Sequence, residues 1–239
     1  MRGSDRGSAP RPGFNLAERA ESLYPVTMDS AVQSGSADEE LFASIAATPI
    51  ASVITDPRRP DNPIVAVNRA FCELTGYREE EIVGRNCRFL AGPDTEPEAR
   101  ALLRDAVRDG RPTLARMLNY RKDGSAFRNA VMIAPVFGPA GGIAYFIGSQ
   151  METGEGEVDL EARRREAAGR VAALTPRQRQ VLAHMIAGYR NKQTAGFLGI
   201  DEKTVKMHRA ALLTKLGIAS SAEAIRIGVE AGLEISGAG

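Results

Sequence analysis

The sequence predicts an α+β domain, with short helices on a five-stranded antiparallel sheet, followed by a linker helix and an all-α unit of four helices. Two short β-branched segments beyond residue 50 precede several short helical segments and three further strand-like segments. A charged helical segment follows. From Leu174 the chain reads as helices separated by short turns, with glycine at the predicted ends.

Length and composition suit two compact units. The chain has 239 residues, 43% of them hydrophobic and 26% charged, with a net charge of +1, which is ordinary for a globular protein. Cys72 and Cys87 are the only cysteines and no leader precedes them, so we expect a cytoplasmic protein without disulfides. Both histidines lie far from the thiols in sequence, so no metal site is predicted. Pro135 and the glycine-rich stretch 138–142 interrupt the uncharged run 129–151, so we expect no membrane span.

Changes in composition set the predicted boundaries. Residues 1–37 are rich in Gly, Ser, Pro and Arg without a sustained period, and we expect a disordered arm there. Residues 38–151 carry the α+β pattern, residues 152–173 form the linker helix, and residues 174–239 form the C-terminal unit.

The strands of the α+β domain are predicted from β-branched runs between turn signals. A first hairpin is predicted in ASVITD and PIVAVN, joined by DPRRPDN. Three more strands are predicted in TLARMLNYRK, SAFRNAVMIAPVF and GIAYFIGSQ. Asn119 and Asn129 can share one face of this sheet only across a loop with an odd number of residues, and Asp123-Gly124-Ser125 provides one. Short helices are predicted in DEELFASIAA, RAFCELTGY, EEEIVG and EPEARALLRDAVRDG.

The C-terminal unit has the layout of a helix-turn-helix. Three helices are predicted at about 176–187, 191–198 and 201–216, and the third has a basic side that could contact phosphates and bases in a major groove. From the residues alone, a solvated charged face explains this side equally well.

Three segments carry a resemblance that changes this balance: LTPRQRQVL, NKQTAGFLGI and EKTVKMHRAALLTKLGI. They resemble the DNA-binding domain of the LuxR family of bacterial transcription regulators over 174–233. The resemblance implies double-stranded DNA as a partner and contacts from Lys192, Lys203, Thr204, Lys206, His208 and Arg209. Gln178, Thr194 and Gly196 depart from the family pattern, and Gly196 lies inside a predicted helix.

The last helix, SAEAIRIGVEAGL, has an unusually wide apolar surface. Glu223, Arg226, Glu230 and Glu234 form one narrow polar strip, and the remaining residues are small or apolar. The excess apolar surface, with Ile225, Val229 and Leu233 on one side or Ala224 and Ile227 on the other, predicts either packing on the linker helix or an interface with a partner. We expect Ile225, Val229 and Leu233 to form a dimer or interdomain interface, because LuxR-type domains commonly dimerise through this helix.

Cys87 lies in the stretch GRNCRFLAG, and three roles are open to it. It could be a small buried hydrophobe, as we expect for Cys72. It could be a catalytic nucleophile, but no histidine lies in this domain to act as its base. It could also react with a bound cofactor.

The third role is favoured by a resemblance across 50–151. GRNCRFLAG, with ITDPRRPDNPI, FCELTGY, NYRKDGSAFRN and YFIGSQ, closely resembles the LOV family of blue-light photoreceptors, a flavin-binding branch of PAS domains. The resemblance implies flavin mononucleotide (FMN), a ring edge bonded by Asn119, Asn129 and Gln150, and a phosphate held by Arg88 and Arg104. Asn86 would contact the polar chain, and the neutral Cys87 thiol would form the photoadduct. Ala91 stands where the family frequently has glutamine.

The two resemblances together predict a light-regulated bacterial transcription factor rather than an enzyme. We expect a dark monomer in which the sheet covers the apolar face of the last helix. Reaction at Cys87 then reorients Gln150, at the end of the last strand, and the released domain dimerises on DNA. A PAS domain with haem or a metabolite, and an enzyme with a thiol or flavin redox site, remain as alternatives.

Overall fold

The computed structural model describes residues 35–154 and 157–233. The predicted N-terminal arm lies almost wholly outside the described residues, as does Glu234. Within the described ranges, no helix is both long and apolar enough to cross a membrane.

The first part of the chain is the predicted α+β domain. Its five strands form one antiparallel sheet in the order β2-β1-β5-β4-β3, which confirms the predicted fold class. Its elements are α1 (Gly35–Ala46), β1 (Ala51–Thr55), β2 (Ile64–Val67), α2 (Arg69–Thr75), α3 (Glu79–Ile82), a 3₁₀ turn (Cys87–Leu90), α4 (Pro97–Asp109), β3 (Thr113–Tyr120), β4 (Ala126–Phe137) and β5 (Ile143–Glu152).

Asn68 fixes the start of this domain. Its side-chain oxygen accepts hydrogen bonds from Ser52 N at 2.9 Å and Phe71 N at 3.0 Å, which caps α2. Its Nδ2 donates to the carbonyls of Ile45 and Ile50. Since buried backbone groups need partners, one amide side chain holds the end of α1, strand β1 and the start of α2 together.

The turn between β3 and β4 sets the register of the two pocket asparagines. Arg121 N donates to Ser125 O at 2.9 Å, and Gly124 adopts φ 86°. The three-residue turn is therefore 122–124, one residue earlier than predicted. Its odd length still places Asn119 and Asn129 on the same face of the sheet. Asn129 pairs with Met117 of β3, and Met117 and Asn119 are two residues apart on that strand, so both face the same side.

The rest of the chain is helical, as predicted. Its elements are α5 (Glu157–Ala172), α6 (Pro176–Ile186), α7 (Asn191–Leu198), α8 (Glu202–Leu216) and α9 (Ser221–Glu230). Thr175 and Gln178 form a capping box at the start of α6, and Asp201 caps α8. The linker helix α5 packs against α9 through its C-terminal half, where Ala167 and Val171 are buried.

The outer face of the sheet packs directly on the helical unit. One continuous apolar cluster contains Ile54, Met132 and Ile147 of the sheet together with helical residues such as Leu182 and Ile225. At the edge of this contact, Phe137 N donates to Gly188 O at 2.9 Å, and the Phe137 and Tyr189 rings stack with centroids 5.5 Å apart. The two parts of the chain therefore share one core.

Arg226 on α9 is not part of a solvent-exposed polar strip, so that part of the sequence prediction is wrong. This residue is 2% exposed and lies against the sheet instead of in solvent. Its guanidinium donates to Ser149 Oγ at 2.8 Å, and more weakly to the carbonyl of Ala130. It also forms an ion pair with Glu230 at 2.7 Å. Helical spacing identified the strip but not the surface that covers it.

Gly188 makes the contact between α6 and β4 possible. It adopts φ 89°, and a Cβ atom there would lie 2.4 Å from Pro135 O. Gly199 has a similar φ of 62° but open space around it.

We predict that Gly188→Ala lowers the free energy of unfolding by about 2–4 kcal/mol, and Gly199→Ala by about 1 kcal/mol. Urea midpoints measured in the dark check this, and equal losses would contradict the close approach of Gly188 to β4.

Candidate cofactor pocket and nucleic-acid interface

A cavity of about 500 Å³ lies on the inner face of the sheet. It is bounded by the β1–β2 loop, the 3₁₀ turn, α4 and strands β1, β3, β4 and β5. The apolar part of its lining is Val53, Leu90, Leu103, Val107, Met117, Val131, Ile133 and Phe146. This volume and lining suit a ligand with a flat apolar body.

Three amide side chains form a connected group at the sheet side of this cavity. Asn129 Nδ2 donates to Asn119 Oδ1 at 2.8 Å and to Gln150 Oε1 at 2.9 Å. All three residues are buried, but only Asn119 and Gln150 line the cavity, and Asn129 lies behind them. The amides can offer both donors and acceptors to the edge of a heterocycle.

Cys87 begins the 3₁₀ turn and lines the cavity. Asn86 caps this turn, because its side-chain oxygen accepts from Arg88 N at 3.0 Å. Burial raises the pKa of the Cys87 thiol to about 12. The sulfur is therefore a neutral thiol at physiological pH, and a thiolate nucleophile would require an activating group that the turn does not provide. Cys72 is partly buried in a neighbouring apolar cluster, where burial raises its pKa.

The polar end of the cavity is lined by cationic side chains. Arg88 forms an ion pair with Asp61, with Nη2 and Oδ1 2.6 Å apart, and Asn86 Nδ2 donates to Asp61 O at 2.6 Å. Arg104 lines the same cavity from α4, and Ala91 follows the 3₁₀ turn. Thus Asn86, Arg88 and Arg104 occupy the end expected for an anionic group.

Sequence reasoning missed several residues at this end. Arg59, Asn62 and Arg100 also line the cavity. The sequence DPRRPDN indicates only a turn, whereas in the structure Asp61 and Asn62 both adopt positive φ, at 68° and 47°. Positive φ in two consecutive non-glycine residues is uncommon, and such backbone clusters at functional sites.

The residues present fit a flavin. An apolar slot, an amide cluster and a cationic end match the ring face, the pyrimidine edge and the phosphate of such a cofactor. Asn62 Oδ1 is buried and has no hydrogen-bond partner among the described residues, so a polar ligand group in the cavity would satisfy it.

The predicted DNA-binding residues belong to α7 and α8. Lys192, Lys203 and Lys206 are exposed. Thr204 and His208 are half-buried, and Thr204 also bonds to Asp201 at the cap of α8.

Arg209, which is also predicted to contact DNA, bonds to neighbouring helices of the helical unit. Its guanidinium donates to Ser221 Oγ at 2.7 Å and to the side chain of Asn191. Burial lowers its pKa. Arg209 therefore connects α8 to the starts of α7 and α9 by hydrogen bonds, which stabilises the packing of the three helices.

Helix α1 also contacts the helical unit. Asp38 Oδ1 accepts from Arg190 Nη2 at 2.8 Å, and Ser44 Oγ accepts from Ala222 N at 3.0 Å. Glu40 lies 4.0 Å from Lys206 Nζ. One carboxylate of α1 therefore lies beside a lysine predicted to contact DNA.

The predicted interface residues of the last helix lie in or against the shared core. Ile225 is buried, and Val229 and Leu233 are half-buried against the same apolar cluster. Helix α9 packs on α5, α6 and the sheet together. It therefore contacts both the linker helix and the sheet, the two surfaces that the sequence suggested for it.

The raised pKa of Cys87 gives a measurable protonation state. We predict that less than about 1% of Cys87 is thiolate at about pH 9.5, where an ordinary cysteine is mostly ionised. Ultraviolet absorbance of the thiolate in cofactor-free Cys72→Ala protein, with Cys72→Ala/Cys87→Ala as the blank, measures this fraction. Ionisation with a midpoint near pH 8.5 would contradict the enclosed environment.

Comparisons with known proteins match both parts of the chain. A family profile described as PAS domain matches residues 49–154, and one described as bacterial regulatory proteins, luxR family, matches residues 172–227. Blue-light-activated histidine kinase 1 of Erythrobacter litoralis is 49% identical over 126 residues, which are 53% of this chain and 34% of that protein. Blue-light-activated histidine kinase of Rhizobium johnstonii is 44% identical over 137 residues, 56% of this chain and 40% of its own length.

A solved structure of a LOV protein is also similar to this chain. The crystal structure of a LOV protein from Rhodobacter sphaeroides is 26% identical, covers 82% of this chain and 93% of its own, and has a TM-score of 0.52. The matched region spans well under half of the two kinases' own lengths. The chain joins a PAS domain of the LOV type to a helix-turn-helix domain of the luxR family of bacterial regulatory proteins.

Proposed function

We propose that this protein is a blue-light-regulated, DNA-binding transcription factor that uses FMN as its chromophore. The support is the combination of a pocket suited to a flavin, a cysteine in its wall, and a helix-turn-helix domain packed on the opposite face of the same sheet. In this proposal the protein responds to light by a change in DNA binding and not by catalysis.

A bound flavin would supply absorption of blue light and, once excited, reactivity toward the neutral thiol of Cys87. The side chains of this chain hold it as follows. Asn119, Gln150 and, behind them, Asn129 bind and orient its polar edge, and the apolar walls exclude water. Asn86, Arg88 and Arg104 hold its polar tail.

The observation that carries the proposal is the arrangement of β4 and β5. Asn129 and Gln150 belong to the pocket face. Ser149, which precedes Gln150, points to the outer face and accepts a hydrogen bond from Arg226, and the backbone carbonyl of Ala130, which follows Asn129, accepts weaker ones. A change in the Gln150 amide therefore acts one residue away from a contact that holds the last helix.

The same contacts would keep the dark state closed. Helix α9 is covered by the sheet and the linker helix, and α1 is bonded to Arg190 and lies near Lys206. Release would free the α9 surface with Ile225, Val229 and Leu233 for a homodimer. A dimer would present two α8 helices to half-sites about one helical turn apart.

The free energy required is modest. A coupling of about 3 kcal/mol shifts occupancy roughly a hundredfold, within the usual range for allostery. Breaking the hydrogen bond from the charged Arg226 guanidinium to Ser149, worth about 1.5–3 kcal/mol, is of this order.

Replacing the reactive cysteine tests the light input. We predict that Cys87→Ala retains flavin, loses reversible bleaching of its visible absorption, and shows no light-dependent change in DNA affinity. Cys72→Ala, the matched control, keeps both responses because Cys72 lies outside the cavity lining. Absorption spectra and a DNA mobility-shift assay measure these effects, and an undiminished light response in Cys87→Ala would contradict the proposal. A haem or metabolite spectrum in the wild type would favour a different PAS ligand.

Removing the buried ion pair tests the coupling. We predict that Arg226→Met/Glu230→Gln binds DNA in the dark about 10–100 times more tightly than wild type, because the contact with β4 and β5 is lost. Arg165→Met, on the exposed side of α5, is the matched control and stays at the wild-type affinity. Titrations with DNA in the dark measure the affinity of both variants. If the double variant still binds DNA as weakly as the wild type, Arg226 does not hold the helical unit in the closed state.

A further inference from the structure

The residue that precedes α7 is unusual for its position. Arg190 is the N-cap of this helix, and no side-chain cap forms there. Ser, Thr, Asp and Asn are preferred at an N-cap because their oxygens accept hydrogen bonds from the first N–H groups, whereas a guanidinium has only donors. The neighbouring helices α6, α8 and α9 follow this preference with Thr175, Asp201 and Ser220. The start of α7 therefore gives no local reason for an arginine.

The Arg190 side chain instead reaches across to the α+β domain. Its Nε donates to Phe137 O, at the end of β4, at 2.7 Å, and its Nη2 donates to Asp38 Oδ1, in α1, at 2.8 Å. The other oxygen of Asp38 accepts from the hydroxyl of Tyr145 at 3.3 Å. The Arg190 side chain is only 16% exposed in this arrangement. A largely enclosed cation of the helical unit is therefore compensated by one carboxylate of the other part of the chain.

Both acceptors of the Arg190 guanidinium would be lost if the helical unit left the sheet. Within the described ranges, this side chain bonds to no residue of the helical unit itself. Arg209 differs, because its partners Asn191 and Ser221 both belong to the helical unit. Opening would thus leave Arg209 bonded and free Arg190.

Helix α1 lies along the surface where DNA is expected. Glu40, two residues after Asp38, is 4.0 Å from Lys206 Nζ, in an exposed pair that contributes little stability by itself. Ser44 Oγ, further along α1, accepts from Ala222 N at 3.0 Å and fixes the helix at the start of α9. The carboxylates of α1 are thus placed beside cations at the start of α7 and on α8. In a helix-turn-helix these two helices meet the DNA backbone and the major groove.

A DNA phosphate is a suitable replacement for the Asp38 carboxylate. Both groups are anionic and accept paired hydrogen bonds from a guanidinium. Arg190 also lies two residues before Lys192, the exposed residue of α7 that the sequence predicts to contact a phosphate. A guanidinium released at this point would lie where the first helix of the motif crosses the DNA backbone.

We propose that Arg190 is a DNA phosphate-binding residue and that Asp38 occupies it in the dark in place of a phosphate, so that α1 and DNA compete for one guanidinium. The inference rests on the proposed function, because it takes an opened helix-turn-helix on double-stranded DNA as the lit state. Arg226 holds α9 on the sheet and has no partner in DNA. Arg190 acts in both states, because it closes the dark form and binds DNA in the lit form.

The DNA-binding role is tested by titrating the full-length protein under illumination with a fluorescein-labelled duplex of mixed sequence and about 30 base pairs, which spans roughly three helical turns. Such a duplex reports phosphate contacts, because they do not depend on base sequence. We expect Arg190→Gln to weaken binding about tenfold and to reduce the slope of log affinity against log KCl concentration by about one, the effect of one lost phosphate contact. Arg190→Lys keeps the charge and the wild-type slope. Arg165→Gln, exposed on α5, is the matched control and changes neither value. Far-ultraviolet circular dichroism equal to that of the wild type shows that the variants fold.

The competition with α1 is tested in the dark with Asp38→Asn. We expect this variant to bind the same duplex about five- to tenfold more tightly than the wild type in the dark, and within about twofold of it in the light. Glu39→Gln removes the same charge from an exposed neighbour that has no ion pair in the described part of the chain, and it stays near the wild-type affinity. In the Arg190→Gln background, Asp38→Asn has no further effect, because both substitutions act on one contact.

Two results would overturn the inference alone. One is an Arg190→Gln protein with the wild-type lit affinity and salt slope. The other is an Asp38→Asn protein that binds DNA in the dark no more tightly than Glu39→Gln. Both leave the proposed function standing if the wild type binds DNA more tightly in the light than in the dark. A wild type with equal DNA affinity in the dark and in the light overturns the inference together with the proposed function.

Discussion

The alternation of side chains along β4 and β5 is the constraint on which the rest of the structure depends. Successive residues of a strand point to opposite faces, so a strand that presents Asn129 or Gln150 to the pocket must present its neighbour to the other side. Ser149, the neighbour of Gln150, accepts a hydrogen bond from Arg226 through its side chain, and the backbone carbonyl of Ala130, the neighbour of Asn129, accepts weaker ones. Pocket and helical unit are thus separated by a single layer of backbone.

A buried arginine is a suitable residue for a contact that must open. Desolvation lowers the pKa of Arg226, while the Glu230 carboxylate opposes that effect, so the charge is kept at a cost. The desolvation cost offsets part of what the hydrogen bonds from Arg226 to the sheet contribute, so these bonds hold the closed state by a modest free-energy margin. Its hydrogen bonds nevertheless fix one orientation of α9 on the sheet. We propose that a modest free-energy margin together with one fixed orientation of α9 suits a switch.

Much of the fold could be predicted from the sequence, because hydrophobic periodicity and turn residues are local signals. They located the five strands, the helix-turn-helix and the shared face of Asn119 and Asn129. The roles of Arg226 and Arg209 could not be predicted in this way, because helical spacing shows which residues form a strip but not which surface covers it. Arg59 and Asn62 were missed for a related reason: Pro, Asp and Asn indicate a turn whether or not the turn faces a cavity.

The most direct test of the coupling across the sheet is the nuclear magnetic resonance signal of the Arg226 Nε–H group in the dark and under illumination. In the dark we expect a slowly exchanging signal, because Nε donates to Glu230 at 2.7 Å in a buried site. Illumination should abolish this protection in the wild type and leave it intact in Cys87→Ala. A signal that stays protected in the light while DNA affinity rises would contradict the central claim.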